Sequence, residues 1–172
     1  MTAAFNAIPE PAGGRQPALA ALADCNVRLL RHCATLRRLP LYLGECGSDA
    51  QARAVAADLL AFFDTVLPRH QALLEQALVP ALIESMAGSD AVCLHQLGAG
   101  LARAHAELQK QWLALRPALL EVTAGDATLL EARPVESLIA CCQASAARAG
   151  DELLPMAQRL LGDDQLEALP WR

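Results

Sequence analysis

The sequence predicts an all-α protein, folded as an antiparallel up-down four-helix bundle with a short C-terminal helix. Three observations lead there. The composition is 54% hydrophobic but only 3% aromatic, and leucine and alanine, both strong helix formers, dominate it. Apolar residues recur at alternating three- and four-residue steps through four long segments. No stretch alternates apolar and polar residues as a half-buried strand does. At 172 residues the chain is long enough to bury one substantial core.

Residues 1–16 read as a flexible leader, because Pro9, Pro11, Gly13 and Gly14 discourage regular structure. Residues 17–172 read as the bundle domain. The first segment spans about residues 17–43, carries Leu22, Asn26, Leu29, Cys33 and Leu36 on one face, and ends at "GECGSD". Ser48 is the expected N-cap of the second segment, about residues 49–86, because its hydroxyl can accept from a free backbone donor. His70 lies on the seam of that segment with Phe63, Leu67, Leu74 and Ala77, and Pro68 and Pro80 are expected to kink or divide it. The third segment, about residues 90–122, presents Leu94, Leu97, Leu101, His105, Leu108, Trp112 and Leu115 on one face. The fourth begins near Pro134, a residue favoured at a first helical position. Its stripe is Val135, Leu138, Cys142, Ser145, Ala149, Leu153, Met156 and Leu160. A short last helix is expected in "DDQLEAL", after Asp163. Short connections between four amphipathic helices favour antiparallel neighbours.

Several functions are disfavoured. A net charge of −5 with scattered basic residues gives no footprint for nucleic acid. Charges interrupt every leucine-rich run, so no membrane span is expected. The start "MTAAFNAIPEPAGGRQP" lacks the basic and apolar regions of a signal peptide, which points to the cytoplasm. The six cysteines include no CxxC pair and read as buried thiols, with Cys46 placed in a loop. His32 is expected near the seam edge, in a structural or surface role, and His95 in solvent. The basic face of Arg28, Arg31, Arg37 and Arg38 suits solvent or an acidic partner.

Polar residues that interrupt the apolar stripes mark where function can sit. Asn26, His70, His105 and Ser145 each fall near the middle of a segment, so alternating helix directions would bring them into one layer. A buried histidine needs a partner for its ring nitrogens. His70 and His105 therefore read either as core residues hydrogen-bonded to Asn26, Ser145 or water, or as remnants of a site.

The phrases "CNVRLLRHCATLRRL", "ARAVAADLLAFFDTVLPRHQALLEQALVPAL", "ARAHAELQKQWLALRP" and "DELLPMAQRLL" resemble the bacterial hemerythrin-like proteins, the HHE cation-binding family. The resemblance covers about residues 18–161 in order. It implies a four-helix bundle built around a non-haem di-iron centre that binds or senses oxygen, nitric oxide or related species. The departures from that pattern fall on its ligand positions. Asn26 stands where the family carries a histidine. His70 is followed four residues on by Leu74, and Gln71 by Glu75, so neither pair joins a histidine to a carboxylate one turn away. Ala104 precedes His105 where an acidic residue is usual, and Ser145 and Ala149 replace a histidine and a carboxylate, although Asp151 and Glu152 remain nearby.

Two irons need several imidazoles and carboxylates from facing helices, and too few are left. The resemblance therefore implies a degenerate centre with no cofactor, or at most one iron or zinc ion held by His70, Glu75 and His105. Loss of the ions would leave either a collapsed core or a pocket lined by Asn26, Cys33, His70, Leu74, His105, Cys142, Ser145 and Ala149. The expected function is a non-enzymatic bundle, monomeric or homodimeric, binding a small molecule or a protein partner. The alternatives are a one-ion sensor or redox-protection protein, and an enzyme using His70 or His105 as general base. A thiol nucleophile at Cys33 or Cys142, or haem ligated by His70 or His105, has no further support in the sequence.

Overall fold

A computed structural model describes residues 17–86, 89–127 and 129–169; the expected leader lies outside them. Among the described residues the regular structure is entirely helical, and no helix is long and apolar enough to cross a membrane. Five helices follow one another: α1 (Pro17–Cys46), α2 (residues 50–84), α3 (Ser89–Ala124), α4 (residues 132–160) and α5 (Asp163–Glu167). α1 packs on α2 and α4, and α3 packs on α2 and α4.

Helix ends follow local chemistry. Gly47, at φ 66°, takes the left-handed conformation that stops α1, and its N–H donates to the Leu43 carbonyl at 2.8 Å. Cys46 is thus the last residue of α1, exposed but not in a loop. The cap of α2 is Asp49, not Ser48: Asp49 Oδ1 accepts from the Ala52 N–H at 2.8 Å. The Ser48 hydroxyl instead donates to the Ala127 carbonyl, tying the start of α2 to the loop that follows α3. Gly125, at φ 89°, ends α3. α4 begins at Ala132, two residues before Pro134, which still lies in the first turn where its missing N–H costs no helical bond.

Pro68 and Pro80 do not break α2. Each is preceded by a widened π turn, Phe62–Val66 and Leu74–Leu78, and a third π turn, Arg148–Leu153, precedes Pro155 in α4. A proline ring collides with the carbonyl four residues back. In these turns Leu67, Val79 and Leu154 instead donate five residues back, to the carbonyls of Phe62, Leu74 and Ala149. Each widened turn holds one extra residue and delays the apolar stripe by one position. The expected Ala77 is therefore half-buried, and Leu78, Val79 and Leu82 are buried instead. In α4 the expected Met156 and Leu160 give way to Ala157 and Leu161, leaving Leu160 36% exposed.

The core divides into two clusters. The larger holds Leu29, Leu36, Phe62, Phe63, Leu108, Trp112 and Leu138 with their neighbours. The smaller is aliphatic and includes Leu22, Leu74, Leu82, Leu101, Leu153 and Ala157. The larger cluster takes the C-terminal parts of α1 and α3 and the N-terminal parts of α2 and α4; the smaller takes the opposite ends. Trp112 stacks on Phe63 with ring centroids 4.7 Å apart, and its Nε1–H donates to Asp64 Oδ1 at 2.9 Å. Arg116 closes the same carboxylate at 3.0 Å.

Candidate functional site

Among the described residues the buried polar side chains are Asn26, His70, Gln71, His105 and Ser145. They separate the two clusters. Along α1, Asn26 lies between Leu22 of the smaller cluster and Leu29 of the larger; along α3, His105 lies between Leu101 and Leu108. His70 and Gln71 fall between Leu67 and Leu74, and Ser145 lies one turn ahead of Ala149. Cys33 and Cys142 belong to the larger cluster, whereas Leu74 and Ala149 belong to the smaller.

Two pairs form in this layer. His70 Nε2 donates to Asn26 Oδ1 at 3.2 Å. Burial, with His105 nearby, pushes the His70 imidazole down from its ordinary 6.5 to about 4, so the ring is neutral at pH 7. His105 Nδ1 meets Glu75 Oε1 in a close hydrogen-bonded contact, which requires the ring proton on Nδ1. A straight helix would point Glu75 away from the seam; here it lies in the π turn Leu74–Leu78 and reaches His105 from α2. Burial lowers the His105 pKa and the Glu75 carboxylate opposes that shift, while Arg148 of α4 adds to it.

Three atoms of the layer are buried without a hydrogen-bond partner: Asn26 Nδ2, Gln71 Nε2 and His105 Nε2. The Asn26 amide faces Gly150, where a Cβ would lie 4.0 Å from Nδ2. His105 Nε2, its ring proton held on Nδ1, is a bare lone pair in the interior.

These residues do not fit a dinuclear metal centre. Among the described residues no three His, Cys, Asp or Glu side chains stand close enough together to hold a metal ion. His70 spends Nε2 on Asn26, and Glu75 spends an oxygen on His105. Of the imidazole nitrogens fully buried in the layer, His105 Nε2 is left without a partner. No protein-family model and no curated protein matches this chain.

The remaining candidates take ordinary places. His32 sits half-buried on Phe62, ring centroids 4.1 Å apart, with Nδ1 3.6 Å from Asp58, and His95 is exposed. Arg37 pairs with Glu136 at 3.0 Å, and Arg28 lies 5.5 Å over the Phe62 ring. Cys33 and Cys142 are buried in thiol contact: Cys142 donates to Cys33, which lowers the Cys33 pKa and raises that of Cys142.

Sequence reasoning missed Gln71 as a buried member of the layer and the proximity of Arg148 to His105. The first had a signal, since Gln71 directly follows the seam residue His70. The second had none, because the two residues lie on different helices.

Proposed function

We propose that this chain is a hemerythrin-like antiparallel up-down four-helix bundle whose di-iron centre has been replaced by a hydrogen-bonded polar layer. In this reading it serves in the cytoplasm as a non-enzymatic binder of a small ligand or a protein partner. The bundle topology is supported by the way opposite ends of successive helices contribute to the two apolar clusters. The loss of the centre is supported by the pairing of the layer's donors with one another, His70 on Asn26 and His105 on Glu75. That pairing carries the reading. Ligand positions of the resembled family are filled by Asn26, Leu74, Ser145 and Ala149, and an uncompensated buried carboxylate is costly once the ions that offset it are gone.

A second reading has one observation in its favour. The carboxylate on His105 Nδ1 and the unpartnered Nε2 match the way a metal-ligating imidazole is oriented by an acid behind it. A single iron or zinc ion at His105, with His70 and Glu75 rearranged to join it, would make the chain a sensor or a redox-protection protein. Elemental analysis of the full chain, expressed in iron- and zinc-containing medium and purified without chelator, separates the two. The metal-free reading expects metal far below one ion per chain. One ion per chain, lost on His105→Leu, would establish the second reading, and an oxo-bridged pair of irons would refute both.

A further inference from the structure

Beside the polar layer, a solvent-open cleft of about 1030 Å³ runs between the N-terminal half of α3 and the C-terminal half of α4. Its apolar wall includes Leu97, Met156 and Leu160, and three guanidinium groups, Arg103, Arg148 and Arg159, line it as well. Two of them converge. A Cβ on Gly100 would lie 2.9 Å from Arg148 Nη1 and 3.9 Å from Arg103 Nη2. Glycine weakens a helix interior, yet at this position the missing Cβ leaves space that the Arg148 guanidinium of α4 occupies next to Arg103.

Like charges brought together need a counter-charge. Among the described residues, none of the three arginines has a carboxylate within 4.0 Å, although Glu152 lines the same cleft. Guanidinium groups match carboxylate and phosphate oxygens two at a time. A cleft with an apolar wall and a few convergent polar groups is the usual form of a small-molecule site.

We infer that this cleft binds a small amphiphilic anion, its carboxylate or phosphate head on Arg103 and Arg148 and its apolar body along Leu97, Met156 and Leu160. The inference names a ligand class for the binding protein proposed above and rests on that reading, but its site is the flank of the helices and not the polar layer.

Calorimetric titration of the full chain with decanoate, decyl phosphate, decanol and acetate, all below micelle formation, tests it. At least one of the two amphiphilic anions is expected to saturate a single site about tenfold or more tighter than decanol or acetate, reflecting charge-assisted pairing. The stronger of the two identifies the head group. The double variant Arg103→Gln/Arg148→Gln is expected to lose about tenfold or more, and Gly100→Ala, which pushes Arg148 aside, to weaken binding in the same direction. Arg37→Gln, on a surface arginine paired with Glu136, is expected to bind as the parent does. Decanol binding as tightly as the anions, unchanged affinity in the double variant, or no saturable binding of either anion overturns the inference. Metal content measured on the same preparation keeps the two readings apart: stoichiometric metal sinks the proposed function, whereas metal-free protein that ignores both anions sinks only the cleft.

Discussion

Acid should loosen this protein through His70. Its imidazole is buried, donates to Asn26 and has His105 close by, and its pKa falls from 6.5 to about 4 on folding. A base with a lowered folded pKa stabilises the native state above its unfolded value and withdraws that stability as pH falls toward the folded one. The window therefore runs from about pH 6.5 down to about pH 4. Linkage over a shift of that size removes roughly 2 kcal/mol between about pH 7 and pH 5, and about 3 kcal/mol by the bottom of the window. His105 is lowered in the same direction and adds to the slope. The variant His70→Gln isolates the first contribution, because a glutamine amide can still donate to Asn26 but does not titrate. Urea unfolding followed by far-UV circular dichroism should show the parent losing about 2 kcal/mol more than the variant between about pH 7 and pH 5. Equal losses in the two proteins would mean that His70 is protonated or solvated in the folded state, and the buried neutral pair would be refuted.

The π turns make a contrast in deletion tolerance. Removing exposed Gln76 from the turn Leu74–Leu78 should restore the ordinary helical register with both flanks still facing the core, at a cost of about 3 kcal/mol because Pro80 then meets the carbonyl four residues back. Removing exposed Ala114 from α3 should turn Leu115, Leu119 and Val122 off the core and abolish cooperative thermal unfolding. Thiol labelling with a disulfide reagent should modify Cys46 and Cys93 at once and half-buried Cys141 more slowly. Cys25, Cys33 and Cys142 should react only as the protein opens, and Cys25 is further held back by a pKa that burial pushes up to about 11.

The helical class, the segments and the position of the polar interruptions are legible in the sequence because they depend on period alone. The third segment shows this best. It has no π turn, and Leu94, Leu101, His105, Leu108, Trp112 and Leu115 are buried as their spacing requires, with Leu97 half-buried. The same reading slips by one residue after Leu74 and after Leu153, because a straight-helix period cannot register a widened turn, even though Pro68, Pro80 and Pro155 mark each one. Glu75 was legible as a residue that could join His70 and His105, but not that it would pair with His105 while His70 turns to Asn26. Asp49 took the cap from Ser48 because the serine hydroxyl is claimed by a carbonyl on a distant loop, a competition that local sequence does not encode. The arginine cleft is a meeting of α3 with α4, and in the sequence only the glycine at position 100 hints at it.

A molecule divided by a polar waist does not breathe evenly. The end holding Phe62, Phe63 and Trp112 has the aromatic mass and the carboxylate of Asp64 to stiffen it, and one π turn, Phe62–Val66, while the other end is held by aliphatic side chains and interrupted by two, Leu74–Leu78 and Arg148–Leu153. Sub-global opening follows the weaker contacts first. The aliphatic end is therefore expected to exchange its amide hydrogens before the aromatic end does.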